Sequence, residues 1–280
     1  MAQQDDFLSR TVESVKSIGK LLLQSRGCPS MPQAPAGSQL VVLGNGPSLR
    51  ALIDSGKLNG CKAQLLAVNF AANTPEFLTL RPRYYVIADP HFFQSLNDAN
   101  VAKLLDNLRS VSWPMTLFVP LKAARALHFD NPNITIVPFN CLGVEGYGWL
   151  RRLAFGSRRG MPRPRNVLIP SLMIGLWMGY KTILVAGADH SWTRTLEVNS
   201  NNEVVSVQPH FYTDNEHEQS RITSVYKGVR LHEIIHSFYV AFKAYFEIEA
   251  YARSTGAKII NITPGSFIDA FARGDDSLID

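Results

Sequence analysis

The residues best suited to acid–base work are Asp189-His190 at the end of an apolar run, His210 just before Phe211-Tyr212, and His232 and His236 four positions apart. Imidazole titrates near neutral pH, so histidines gathered around a crevice are fit to take a proton from a hydroxyl. His232-Glu233-Ile234-Ile235-His236 also satisfies the bare His-Glu-x-x-His expression of zinc proteases. No third ligand follows at the usual spacing, and no Asp-x-Asp triplet ends a strand to carry a divalent ion. The expectation is therefore metal-independent chemistry with no required cofactor. A second group is Gly44-Asn45-Gly46-Pro47-Ser48, placed between Leu40-Val41-Val42-Leu43 and a helical stretch from Leu49. A strand, a glycine turn and a helix N-terminus in that order present free N–H groups and a dipole to an anion, and a nucleotide phosphate is the first ligand to consider. Leu49 stands where a dinucleotide fingerprint needs its third glycine. No Gly-Lys-Ser/Thr follows, and Ser48 is not centred in Gly-x-Ser-x-Gly.

These residues need strands to position them. Short apolar runs recur at Leu40-Leu43, Gln64-Val68, Tyr84-Ala88, Met115-Val119, Ile134-Val137, Thr182-Ala186 and Lys258-Ile262, separated by segments able to form helices. The alternation predicts an α/β fold with a doubly wound, mostly parallel sheet of Rossmann-like type. Sites in such sheets lie at the carboxyl ends of the strands, where Asn45, Asn69, Asp89 and Asp189 fall. His190 to Val229 has no clear periodicity and reads as a lid. Leu8, Val12, Val15, Ile18 and Leu22 recur at helical spacing between Phe7 and Gln24, with Arg10, Lys16 and Lys20 elsewhere on the wheel. This amphipathic helix is expected to pack on the main domain or on a second subunit of a homo-oligomer, or to rest on an anionic membrane surface. Gly27 to Ser38 reads as a linker, which gives a helix-plus-linker unit over 1–38 and a nucleotide-binding catalytic domain over 39–280.

Composition narrows the class. With 280 residues, 46% hydrophobic and 18% charged, the chain can bury a large core. The apolar stretch Ser171 to Tyr180 is far short of the roughly 20 residues that span a bilayer. The acidic start lacks a signal peptide's basic region, so the cytoplasm is expected, with peripheral contact at the inner membrane face through the first helix. Cys28, Cys61 and Cys141 have neither disulfide nor zinc spacing and read as reduced thiols. Within the net charge of +5, Arg151, Arg152, Arg158, Arg159, Arg163 and Arg165 fall inside fifteen residues. They read as a solvated basic surface or a contact for an acidic lipid or acceptor. Without interleaved aromatics they do not make a nucleic-acid platform.

Gly44-Asn45-Gly46-Pro47-Ser48-Leu49, Asn69, Asp89-Pro90, Gly179-Tyr180-Lys181 with Ile183, and Gly187-Ala188-Asp189 follow one another in that order. In these motifs the chain resembles the bacterial sialyltransferases and the related motility-associated flagellin glycosyltransferases, a superfamily that includes the MptE-like 6-hydroxymethylpterin diphosphokinases. The resemblance implies that Gly44, Asn45, Gly46, Ser48 and Asn69 hold a nucleotide, as in a cytidine-monophosphate-linked donor. It places Asp89 near the sugar or ribose and Asp189 close to the reacting centre. Family tyrosines steady the leaving phosphate. Ser191 stands in the place of the first of them, with Tyr212 or His210 as substitutes. The family's base is a histidine beyond the lid, for which His236, His232, His190 and His210 are all open. The implied function is transfer of a sugar, of sialic-acid-like type, from a nucleotide sugar to a glycan, lipid-linked or protein acceptor. The alternatives are a metal-dependent diphosphokinase, with Asp89 and Asp189 carrying the metal, and a noncatalytic module of polysaccharide assembly.

Overall fold

The computed structural model describes residues 7–28, 30–124, 127, 129–206, 211 and 228–279. Eight strands form the main sheet: β1 (Gln39–Leu43), β2 (Gln64–Val68), β3 (Tyr84–Val86), β4 (Met115–Pro120), β5 (Ile134–Phe139), β6 (Thr182–Ala186), β9 (Lys258–Asn261) and β10 (Ala272–Arg273). Their order is β10-β9-β6-β1-β2-β3-β4-β5, and every neighbouring pair is parallel. The chain builds outward from β1 to β5, then returns to the other side of β1 with β6. Strand order therefore reverses between β1 and β6, and a crevice at the carboxyl ends belongs at that point.

The strands read as unbroken apolar runs because both sheet faces are covered. Successive side chains point to opposite faces. Leu40 and Val42 of β1 join the cluster containing α7 (Leu168–Trp177) and α8 (Leu231–Ser254), while Val41 and Leu43 pack with Leu49 of α2 (Ser48–Asp54). Farther out, Tyr85 and Leu117 pack with Leu104 and Leu108 of α5 (Ala99–Arg109). Asp98 starts α5 by accepting the N–H groups of Asn100 and Val101 at 2.9 and 3.2 Å. Helix α7, within the most apolar stretch, is buried along its whole length. No helix among the described residues is long and apolar enough to cross a membrane.

The N-terminal helix α1 (Phe7–Gln24) has the predicted bounds, but it docks through Ser14 and Ser17 rather than through its apolar side. The segment predicted as a linker is packed on the body: Met31 is buried in the main core, and Ala34 donates to the Met178 carbonyl at 2.8 Å. Its prolines prevent a helix but not burial. Within the predicted lid, a 3-10 turn (Trp192–Thr195) leads into an antiparallel hairpin of β7 (Leu196–Val198) and β8 (Val204–Ser206). Asn199 closes that hairpin by accepting the N–H groups of Asn201 and Glu203, each at 2.9 Å. His210 and Tyr212 lie outside the described residues.

Candidate functional site

The turns that leave β1 and β6 pack backbone to backbone at the reversal point. Gly44 N–H donates to Ala186 and Gly46 N–H to Gly187, both at 2.8 Å. A Cβ on Gly44 would fall 2.5 Å from the Gly187 oxygen, and one on Gly46 would fall 2.0 Å from Asp189 Oδ2. Gly187 itself has φ +64, and its Cβ would meet the Gly44 oxygen at 2.5 Å. These glycines are therefore required by the approach of the two turns to each other, whatever else they serve.

That approach delivers Asp189 to the start of α2. Its Oδ2 accepts the Ser48 hydroxyl at 2.8 Å and the Ser48 N–H at 3.4 Å. The anion at this helix start is thus a carboxylate from the chain itself, and Ser48 and Asp189, 141 residues apart, form one unit. The loop after β9 grips the same turn. Thr263 Oγ1 accepts Ala188 N–H at 3.0 Å, Ser266 Oγ donates to the Ala188 carbonyl at 2.6 Å, and Phe267 N–H donates to the Asp189 carbonyl at 2.9 Å. The buried Asn261 organises this loop through Ser266 Oγ at 2.9 Å and Thr263 N–H at 3.0 Å. Arg194, which is exposed, lies over the Phe267 ring at 4.7 Å. Sequence reasoning missed Asn261, Thr263 and Ser266 as positioning groups and Arg194 as a cation, because nothing local marks their partner.

His190 is buried with a left-handed backbone, φ 51. Its ring lies 4.1 Å from Trp192 and 5.5 Å from Tyr245 of α8, and its Nε2 is 2.6 Å from the Tyr245 hydroxyl. Tyr245 donates to Asn166 Oδ1 at 3.0 Å, and Leu168 N–H, donating to the same oxygen at 3.0 Å, fixes the amide orientation. A hydroxyl has one proton to give, so Tyr245 accepts from His190, which carries its hydrogen on Nε2. Burial drives the His190 pKa down to about 3, so the imidazole is neutral.

The other candidates sit around this centre in different ways. Asn69, left-handed at φ 49, follows β2, and its backbone oxygen accepts the Tyr85 hydroxyl. Its Oδ1 is shielded and has no hydrogen-bond partner among the described residues, as is the case for Asn166 Nδ2. Helix α7 runs back against β6, so Asn166 at its start also belongs to the carboxyl edge. Asn45 donates through Nδ2 to the Val68 carbonyl at 3.3 Å, tying the first turn to the end of β2. Asp89 accepts His91 N–H at 2.9 Å and starts α4 (His91–Gln94). Between β1 and β2 a narrow hollow is walled by Leu49, Phe77 and Phe211, with Thr74 and Glu76 among its polar residues. Phe211 N–H donates to the Asn45 carbonyl at 3.1 Å, and its ring lies 5.5 Å from the Arg50 guanidinium. Arg50 pairs with Glu76 at 2.6 Å. Burial is the largest single influence on the Glu76 carboxyl and favours its protonated form, but the hydrogen bond and charge of Arg50, with the backbone N–H and Thr74, together hold its pKa below the usual range.

His236 is not brought to Asp189. It is solvent-exposed on α8, 6.1 Å from the Tyr239 ring. Nine residues separate it from Tyr245, which at 100° and 1.5 Å per residue puts it about 180° round the helix and roughly 13 Å along it. His232 is exposed as well, and Glu233 accepts Arg230 N–H at 2.8 Å as part of the helix cap. No cluster of three His, Cys, Asp or Glu side chains able to hold a metal occurs among the described residues. The arginine run is divided as well. Arg151 pairs with Glu247 at 2.6 Å and Arg163 with Glu145 at 3.1 Å, while Arg152, Arg159 and Arg165 are exposed. All three cysteines are free, and burial raises the Cys141 thiol to about 12.

No protein-family profile matches the chain, and no curated protein matches it. Among solved structures the chain is similar to the MAf glycosyltransferase from Magnetospirillum magneticum AMB-1, at 12% identity and a TM-score of 0.49. The alignment covers 96% of this chain and 39% of that one, so the chain spans about two fifths of that protein's length.

Proposed function

We propose that this chain is a glycosyltransferase that holds a nucleotide-activated sugar, cytidine-monophosphate-linked by the resemblance of its motifs, across the crevice between β1 and β6. The observation that carries the reading is a coincidence of position. The point where strand order reverses is also where Ser48 and Asp189 meet, with polar atoms of Asn69 and Asn166 that have no partner among the described residues on the same edge. Shielded polar atoms without partners are costly, by about 1–3 kcal/mol each, and a polar ligand relieves that cost.

In the proposed reaction the acceptor oxygen attacks the anomeric carbon, and the bond from that carbon to the donor phosphate breaks, its electron pair leaving with the phosphate. The acceptor proton passes to Asp189. Ser48 engages Oδ2, which fixes the carboxylate and directs Oδ1 as the proton acceptor. His190 is buried with its Nε2 committed to Tyr245, so it does not meet the acceptor and instead holds the turn that carries Asp189 through the Tyr245–Asn166 chain. Two anions at 4 Å repel by roughly 4 kcal/mol near a protein surface. A donor phosphate therefore seats away from the Asp189 carboxylate, and Arg194, stacked on Phe267, is the cation proposed to meet it. The acceptor class, whether glycan, lipid-linked or protein, is part of the proposal only as a hydroxyl bearer.

Calorimetry with cytidine monophosphate and transfer assays with nucleotide-monophosphate sugars test this. Asp189→Asn should keep nucleotide binding and lower transfer by about 10²–10⁴-fold. A folded wild-type protein that binds no nucleoside monophosphate, or an Asp189→Asn variant with undiminished transfer, would refute it.

A further inference from the structure

Helix α1 turns the wrong side to its own protein. Ser14 Oγ accepts Tyr147 N–H and Ser17 Oγ accepts Glu145 N–H, both at 2.9 Å, and both serines are buried. A Cβ on Gly146 would lie 2.2 Å from Ser14 Oγ, so the helix is seated as closely as a glycine permits. At 100° per residue the apolar arc of Leu8, Val12, Val15, Leu22 and Leu23 is rotated about 80–180° from Ser14. It faces solvent, with Val15 65% and Leu23 76% exposed. Rolling the helix to bury that arc would break both serine hydrogen bonds, so polar contacts hold its apolar side outward.

The segments on either side of helix α6 (Gly148–Gly156) both meet α1. At one end the Tyr147 hydroxyl is 2.8 Å from Thr11 Oγ1 and its ring is 6.1 Å from Phe7. Past the other end, a Cβ on Gly160 would be 3.5 Å from Leu21, and Asn140 binds the backbone carbonyls of Arg26 and Arg158 at 2.9 and 3.0 Å. Trp149 and Leu153, one turn apart on α6, are 56% and 64% exposed. Cations belong to the same two helices and the loop after them: Lys16, which pairs with Glu13 at 2.9 Å, Lys20, Arg152 and Arg159.

We infer that α1 and α6 form one face that rests on an anionic lipid bilayer, with the apolar arc and Trp149 entering the headgroup boundary and the cations meeting lipid phosphates. An apolar helical arc with lysines at its polar edge and a tryptophan beside it is the composition of an interfacial helix. Charge selects this occupant over a second copy, since a two-fold contact through the face would crowd the same cations of two chains together. The loop that receives α1 leaves the carboxyl end of β5, so the lipid face and the crevice share one sheet edge. The inference does not rest on the proposed reaction.

The test is cosedimentation of the full chain with vesicles of phosphatidylglycerol and phosphatidylethanolamine, and with phosphatidylcholine vesicles, while Trp fluorescence is followed. Binding is expected to the anionic vesicles alone, with a blue shift that Trp149→Phe removes. Leu22→Asp with Leu23→Asp should abolish binding without moving the melting temperature. Lys16→Gln with Lys20→Gln should weaken it roughly 25-fold, about fivefold for each cation. Four results would overturn the inference: no binding to anionic vesicles, equal binding to both compositions, binding that survives the aspartates, or a wild-type dimer in solution that the aspartates dissolve.

Discussion

Acidification should unfold this protein partly through one side chain. His190 is neutral in the fold, with its pKa pushed to about 3 by burial, whereas in the unfolded chain it titrates near 6.5. Between those values the unfolded state binds the extra proton, so stability falls as pH drops from about 6.5 toward 3. At pH 5 the unfolded chain is some thirtyfold protonated over neutral at this site and the folded chain almost not at all, a loss of about 2 kcal/mol. The structure states why the fold resists the proton. Nε2–H is already committed to Tyr245 at 2.6 Å, so the charge would fall on a ring enclosed by Trp192, Phe242 and Tyr245. Urea unfolding at pH 7, 6, 5 and 4.5 should be compared between wild type and His190→Asn, a residue that tolerates the left-handed backbone. The variant is less stable throughout, but its stability should fall by about 2 kcal/mol less between pH 7 and 5, the shared carboxylates cancelling in the difference. Parallel pH profiles, within about 0.5 kcal/mol, would refute the buried neutral imidazole.

Further expectations concern the crevice and its supports. Gly187→Ala places a Cβ 2.5 Å from the Gly44 oxygen at φ +64 and should lower stability by roughly 2–3 kcal/mol in thermal melts. Ser48→Ala removes the 2.8 Å donor that orients Asp189; stability should fall by only about 1 kcal/mol, while kcat for sugar transfer falls tenfold or more. Tyr245→Phe strips His190 and Asn166 of their common partner and should destabilise by about 1–3 kcal/mol. Arg151→Met leaves Glu247, already pushed upward by burial against the opposing pull of Arg151, without its guanidinium. The loss should be roughly 2–3 kcal/mol at pH 7 in urea melts, less than for a fully buried pair, and should narrow at lower pH as Glu247 takes a proton.

Much of the frame was legible because it is local. The alternation of buried faces needs apolar runs, and the predicted runs over 64–68 and 182–186 coincide with β2 and β6. The bounds of α1 were equally readable from periodicity, but its orientation was not: the wheel left open a domain, a second subunit or a membrane as the cover of the apolar arc, and serine hydrogen bonds to residues 145 and 147 turn that arc outward. The segment over 27–38 has a linker's composition, yet Met31 finds a place in the core.

The sequence by itself determined seven of the eight strands of the main sheet, the helix α1 and the glycine turn, since periodicity and backbone geometry act over a few residues. It also marked Asp189 as a strand-end carboxylate. Only the tertiary structure decided that this carboxylate meets Ser48 across 141 residues, that Asn261 and Thr263 brace its loop, that His190 is sealed among aromatic rings, and that His236 faces the far side of α8. Contacts between distant segments depend on which strands become neighbours and on how many turns of helix lie between two side chains, and no stretch of a few residues contains either quantity.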